Sequence, residues 1–134
     1  MPHINIEYND AIGKALNMKA LIADLHDCAM SLEALPTGGI RTRGYLTDIS
    51  NVGDAAAENG FIYITIRLGQ GRNETVKKDI GDQIFAVLTD FTQDHFDANR
   101  PISLGLEIQE IEKDWTWKKN NIHQILKDKY NGPK

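Results

Sequence analysis

The strongest constraint on the fold is an order of strand, helix and strand that occurs twice along the chain. Apolar and polar residues alternate over Phe61–Leu68, which predicts a half-buried strand, and a helical pattern and a strand at Ile102–Ile108 follow. The first half has the same order, with alternating strands at Pro2–Tyr8 and Ile40–Thr47. Because each helix must cross over the sheet, the strands within each half are expected to be parallel.

This pattern predicts a single α/β domain over residues 1–134, with one four-stranded sheet and two helices on one face. The two β-α-β halves are expected at about 2–47 and 61–111, and a C-terminal tail at 112–134. Ile and Leu occur in both halves of the strand alternation, so the second face of the sheet is expected to be partly apolar. An exposed apolar face favours association with other copies of the chain.

Local signals place the helices and turns between these strands. Asn17 and Asn73 are expected to be N-caps, each preceding an apolar stripe at helical spacing. Residues 9–13 are expected to form a turn, and the loop between the halves is expected at residues 48–60. Pro36 and the following Gly38-Gly39 pair are expected to end the first helix.

Composition excludes several classes of function. The net charge of −4 and the pI of about 5.5 argue against binding to nucleic acid or anionic membranes. No apolar run is long enough to span a membrane and no signal peptide is evident, so a cytoplasmic protein is expected. The single cysteine, Cys28, rules out a disulfide framework, and the histidines are not spaced as metal ligands, so no metal site is predicted.

The N-terminus offers a candidate catalytic group. A proline in second place predicts removal of Met1, which leaves Pro2 with a free secondary amine. Free α-amines titrate near ~8, so burial or nearby cations bring one to neutrality at physiological pH. Pro2 is therefore a candidate general base. The alternative is that Met1-Pro2 has no functional consequence.

Three arginines are candidate anion-binding residues. Arg72 ends Gly69-Gln70-Gly71-Arg72, a turn predicted between a strand and a helix, where backbone N–H groups bind anions. Arg41 and Arg43 project from one face of a strand, about 7 Å apart by strand geometry, a spacing suited to a dianion. The alternatives are a tight turn with a surface arginine and two solvent-facing arginines on an edge strand.

Four segments in register over nearly the whole chain resemble the tautomerase superfamily and, within it, the 5-carboxymethyl-2-hydroxymuconate isomerase family. The resemblance rests on Pro2 after Met1, on the doubled β-α-β units and on the positions of the arginines. The matching segments are Met1-Pro2-His3, Gly39-Ile40-Arg41-Thr42-Arg43, Gly69-Gln70-Gly71-Arg72 and Trp117-Lys118-Lys119-Asn120-Asn121-Ile122-His123.

The resemblance implies a cofactor-independent isomerase of homoprotocatechuate degradation that acts on a small carboxylated dienol. The resemblance implies that Pro2 moves a proton between two carbons of the conjugated dienol: it takes the hydroxyl-side proton or its equivalent, returns one at the remote carbon and yields the 2-oxo-enoate isomer. Arg41 and Arg72 are implied to bind the carboxylates and the negative charge on the 2-oxygen, with Arg43 a further candidate by adjacency. The resemblance also implies a homotrimer, with the tail reaching a neighbouring subunit.

Other functions are compatible with the same residues. The scaffold also suits tautomerisation of an aryl pyruvate or hydration of a haloacrylate. A non-catalytic carboxylate-binding trimer is a third reading, and it predicts binding without turnover. These alternatives are separated by comparing turnover across the three kinds of substrate.

Overall fold

A computed structural model describes residues 1–130 and contains the predicted mixed sheet, with four strands in the order β2-β1-β3-β4. The strands are β1 (His3–Asn9), β2 (Arg41–Thr47), β3 (Gly60–Gly69) and β4 (Ile102–Ile111). The helices are α1 (Asp10–Ala15), α2 (Met18–Ser31), α3 (Glu74–Phe91), α4 (Gln93–Asp97) and α5 (Ile122–Tyr130). Single turns of 3-10 helix lie at Thr37–Gly39 and Lys113–Trp115.

Strand direction confirms the doubled β-α-β architecture. β1 pairs with β2 in parallel and β3 pairs with β4 in parallel, whereas β1 and β3 run antiparallel at the centre of the sheet. Because of that antiparallel pairing, His3 at the start of β1 lies opposite Arg67 near the end of β3. One edge of the sheet therefore gathers the starts of β1 and β2 and the ends of β3 and β4.

The two long helices, α2 and α3, cover one face of the sheet as predicted. The Asn17 side chain accepts a hydrogen bond from Ala20 N (3.1 Å), and Asn73 accepts one from Val76 N (2.9 Å), so both predicted N-caps are confirmed. The core between sheet and helices consists of Ile and Leu side chains with almost no exposed surface. They include Ile4, Ile6, Leu21, Leu25, Ile62, Ile64, Ile66, Leu68, Ile80, Ile84 and Leu88.

The prediction of a turn at residues 9–13 is wrong, since α1 begins at Asp10. Asn9 ends β1 and caps this short helix by accepting a hydrogen bond from Ile12 N (3.4 Å). Ile12 is 1% exposed, so tertiary packing stabilises a six-residue helix that would be too short to persist alone. Gly13 leaves room for the Tyr8 ring, because a Cβ at position 13 would lie only 3.3 Å from that ring.

The first long helix also ends earlier than predicted. α2 stops at Ser31, before Pro36, and its apolar stripe continues as a non-helical segment in which Leu32 and Leu35 stay buried. The Gly38-Gly39 pair is therefore not a helix stop. Its role is close packing, because a Cβ on Gly38 would lie 2.6 Å from His123 Nδ1.

The second face of the sheet is not covered by helices, and its side chains correct a further expectation. Register places every Ile and Leu of β1 and β3 on the helix side. The uncovered face is polar and aromatic rather than aliphatic, with His3, Asn5, Glu7, Arg43, Tyr45, Tyr63, Thr65 and Arg67 in its rows. Association through this face would depend on polar and aromatic contacts.

Candidate active site

A cavity of about 290 Å³ lies at the sheet edge where β1 begins and β3 and β4 end. The chain reaches this edge at its first residues, at the turn after β3 and at the segment after β4. The cavity is lined by Met1, His3, Gly69, Gln70, Ile111, Lys113, Thr116, Trp117 and Lys118. Three of the four sequence segments that carry the family resemblance therefore contribute to one cavity. Larger but more open surface depressions elsewhere lack the N-terminus.

Pro2 is buried beside this cavity and its backbone is fixed by strand pairing. Pro2 O accepts a hydrogen bond from Arg41 N (2.9 Å), which aligns the N-terminus with β2. Gly39 packs beside the N-terminus, and a Cβ there would be in van der Waals contact with both Met1 Cα and Pro2 Cδ at 3.4 Å. Met1 is attached in this structure, so Pro2 N belongs to an amide and is not basic.

The terminal amine lies in a strongly cationic environment. Burial lowers the pKa of the Met1 amine below its ordinary 8.0, and the charges of Lys118, Arg72 and Arg41 lower it further, in that order. All four effects favour the neutral amine, the form that accepts a proton. The environment at this end of β1 therefore shifts an amine toward the neutral state that a general base requires.

Arg41 and Arg72 are both close enough to act on the amine, and both are held by backbone carbonyls. Arg41 Nη1 donates to Gly38 O and Ile40 O, each at 3.1 Å. Arg72 donates from Nε and Nη2 to Ala34 O and from Nη1 to Gly69 O, at 2.9–3.2 Å. A guanidinium has five N–H donors, so each arginine keeps donors for a ligand.

Arg43 lies in a different hydrogen-bond network, on the uncovered face of the sheet. Its Nη2 lies 2.8 Å from Asn5 Oδ1 and 3.0 Å from His3 Nδ1, and its Nε donates to Tyr45 Oη at 3.1 Å. Arg43 and Arg41 therefore have different hydrogen-bond partners, although they lie two residues apart on one strand. Arg43 touches the cavity only through His3.

His3 also lines the cavity. Burial lowers the pKa of His3, and Arg43 and Arg67 lower it further. The neutral imidazole is thus favoured at physiological pH. It accepts a hydrogen bond from Arg43 when Nδ1 carries no proton.

Sequence reasoning missed the cavity-lining role of the segment after β4. Lys113, Trp117 and Lys118 line the cavity, yet none was singled out as a site residue. The available signal was a pair of tryptophans near the terminus, since large aromatic side chains need a surface to cover. Trp117 remains 85% exposed at the cavity.

The same segment is attached at both ends to the arginine-bearing parts of the site. Lys113 N donates to Gln70 Oε1 (3.2 Å), next to the Arg72 turn. Asn120 Nδ2 donates to Gly38 O (3.0 Å), the carbonyl that also accepts from Arg41. These contacts hold residues 114–119 over the N-terminus.

Two kinds of structural feature are absent from residues 1–130. Over this range, no group of three or more His, Cys, Asp or Glu side chains is arranged to hold a metal ion. The same range contains no helix that is both long and apolar enough to cross a membrane.

A family model for 5-carboxymethyl-2-hydroxymuconate isomerase matches residues 2–126 of the chain. The chain belongs to this isomerase family. It is 26% identical over 130 residues to 5-carboxymethyl-2-hydroxymuconate Delta-isomerase from Escherichia coli, covering 95% of this chain and 100% of that protein.

Solved structures agree with this assignment. A 5-carboxymethyl-2-hydroxymuconate isomerase from Deinococcus radiodurans R1 is 36% identical, covers 93% of each chain and superposes with a TM-score of 0.85. A fused 4-OT protein described as a symmetric trimer shares the fold at 14% identity, with 87% of this chain and 93% of that chain covered and a TM-score of 0.61. The family and the tautomerase-like fold implied by the sequence resemblance are both confirmed.

Proposed function

We propose that the protein isomerises 5-carboxymethyl-2-hydroxymuconate in homoprotocatechuate degradation, with the amine of Pro2 as general base once Met1 has been removed. The observation that carries the proposal is the juxtaposition of the N-terminus with a cavity and with cationic side chains at the edge of the sheet. Membership of the isomerase family supports the reaction class.

Removal of Met1 moves the amine by one residue, onto Pro2. The same features then surround it, because Pro2 is hydrogen-bonded to β2 and packed against Gly39. Neutral Pro2 N takes the proton of the substrate 2-hydroxyl group, the electron pair moves through the conjugated system, and the protonated amine returns a proton to the remote carbon. The product is the 2-oxo isomer, and no cofactor enters this proton balance.

Arg41 and Arg72 bind substrate carboxylates in this proposal and stabilise the negative charge that develops on the 2-oxygen. Their bonds to backbone carbonyls fix each guanidinium, so little rearrangement is needed when the substrate binds. Arg43 is assigned a weaker role through His3, which it contacts at 3.0 Å.

We also propose a homotrimer. The sheet has one face without helices, and Trp115 and Trp117 in the tail are 72% and 85% exposed. Both features favour burial against another copy of the chain. The structural likeness to a symmetric trimer of fused 4-OT supports the same stoichiometry. Light scattering should give three times the 15.0 kDa chain mass.

The decisive experiment is an isomerase assay on protein whose intact mass proves that Met1 is absent. Fast conversion of 5-carboxymethyl-2-hydroxymuconate is expected, with a large loss in Pro2→Ala and no change in oligomeric mass. No conversion by processed oligomer would contradict the proposal. The same preparation should then be tested with an aryl pyruvate and a haloacrylate, since turnover of either identifies a different reaction at the same amine.

A further inference from the structure

Three cationic side chains act on the terminal amine, but they differ in what else they contact. Arg41 and Arg72 are hydrogen-bonded to backbone carbonyls of this chain. Lys118 lines the cavity with its neighbour Trp117, and within residues 1–130 its ammonium group has no hydrogen-bond or ion-pair partner. A cation that faces a cavity without a partner is available to an anionic ligand.

The position of Lys118 is set by the fold rather than by chance exposure. The segment that carries it is hydrogen-bonded to Gln70 at one end and to Gly38 at the other. His123 packs so closely on Gly38 that no Cβ fits between them, which further fixes the chain after Lys118. The lysine is thus carried by a segment attached to both arginine-bearing parts of the site.

The charge of the proposed substrate matches this arrangement. A muconate has two carboxylates and the carboxymethyl substituent adds a third. Two arginines provide two charged contacts and leave one carboxylate without a cation. Lys118 is the remaining cation whose field reaches the amine.

We propose that Lys118 is a carboxylate-binding residue of the active site, which completes a set of three cations for a tricarboxylate substrate. This inference rests on the proposed function for the identity of the substrate. It assigns to the segment after β4 a direct role in substrate recognition, beyond its packing against the rest of the chain.

The test compares Lys118→Gln with Lys119→Gln in processed protein. Lys119 is the next residue, is exposed and does not line the cavity, so its substitution removes the same charge from the same segment. Lys118→Gln is expected to lower kcat/KM by roughly 10-fold or more, the range for a hydrogen bond to a charged group, mainly through KM. Lys119→Gln is expected to change it by less than about 2-fold.

A second readout separates binding from packing. Lys118→Arg retains the charge and should recover most of the lost kcat/KM, which a purely structural role of the lysine stem would not predict. Equal kinetics for the Lys118→Gln and Lys119→Gln variants, with active wild-type protein, would overturn the inference and leave the proposed function intact.

Binding of propane-1,2,3-tricarboxylate, measured by calorimetry, tests the inference without turnover. Wild-type protein and Lys119→Gln should bind this tricarboxylate alike, and Lys118→Gln should bind it at least several-fold more weakly. If wild-type protein shows no isomerase activity, the proposed function fails, but this titration still supports or overturns the role of Lys118. Identical binding by all three proteins overturns it.

Discussion

The two ends of the sheet differ in whether their polar and charged groups find partners within the chain. At the far end, where β1 stops and β3 and β4 start, Asn9 Nδ2 donates to Asn59 O (2.9 Å) and Asn9 Oδ1 accepts from Phe61 N (3.3 Å). Gly60 N donates to Pro101 O (3.1 Å). These polar groups are satisfied within the chain, so this end joins the two halves.

At the other end, which contains the candidate active site, cationic groups converge without acidic partners. Arg41 and Arg72 contact only carbonyl oxygens within residues 1–130, and Lys118 contacts no acceptor there. Like charges repel, so this arrangement costs stability unless an anion binds. Internal pairing therefore marks the structural end of this sheet, and uncompensated charge marks the end at which we propose that the substrate binds.

The largest expected effect is at the N-terminus. Protein that retains Met1 should lose activity by roughly 100-fold or more relative to processed protein, because an amide nitrogen cannot act as the base. Unfolding curves of the two forms should nearly coincide. Mass spectrometry of separated forms, each assayed with the same substrate, checks this, and equal activity of the two forms would remove Pro2 as the base.

Arg72→Ala tests the charged end of the sheet against its far end. We expect kcat/KM to fall roughly 10- to 100-fold, since a hydrogen bond to a charged substrate group is lost. Some stability is lost as well, because Ala34 O and Gly69 O lose their donors. Arg100→Ala is the matched control, since Arg100 is exposed at the start of β4 and should leave kcat/KM unchanged. Equal losses in both variants would contradict the assignment of function to one end.

Asn9→Ala should produce the opposite result, a loss of stability without a loss of turnover. Asn9 is 5% exposed, and its side-chain amide is hydrogen-bonded to α1, to β3 and to Asn59. Loss of these hydrogen bonds should lower the free energy of unfolding by about 2 kcal/mol. Asn17→Ala, an exposed cap, should cost about 1 kcal/mol. Urea denaturation measures both, and a large fall in the kcat/KM of folded Asn9→Ala would show that the far end also influences catalysis.

The sequence was sufficient to predict the sheet, its parallel pairs and the two long helices, because period-two and period-3.6 patterns record which side is buried. It was misleading at Asn9–Gly13, where the residues favour a turn and burial of Ile12 stabilises a helix. The need for glycine at position 38 could not be predicted from the sequence, because it arises from close packing against His123, which is far away in the chain.

The candidate site was predicted only in part, for a related reason. Pro2, Arg41 and Arg72 were named from local sequence and family resemblance, and the structure brings their segments to one edge of the sheet. Lys118 reaches the same place because Lys113 and Asn120, on either side of it in the chain, are hydrogen-bonded to Gln70 and Gly38, and no local pattern encodes these contacts. Arg43 shows that proximity in the sequence does not guarantee a shared site. It lies two residues from Arg41 on the same strand, yet it is hydrogen-bonded in a different network.

The smallest expected effect is a shift of the pH–rate profile when salt is added. It separates the contribution of burial to the pKa of the amine from the contribution of the nearby cations. The pKa of the terminal amine is lowered from 8.0 first by burial and then by Lys118, Arg72 and Arg41. The same burial and cations surround the Pro2 amine once Met1 is removed, and the base acts when neutral, so kcat/KM should rise with pH through the pKa of that amine and then level off. Salt screens the cations but not the burial, so added salt should move this rise to higher pH by less than about one unit. pH–rate profiles at low and high ionic strength check the sign, and a shift to lower pH would contradict a cationic influence on the base.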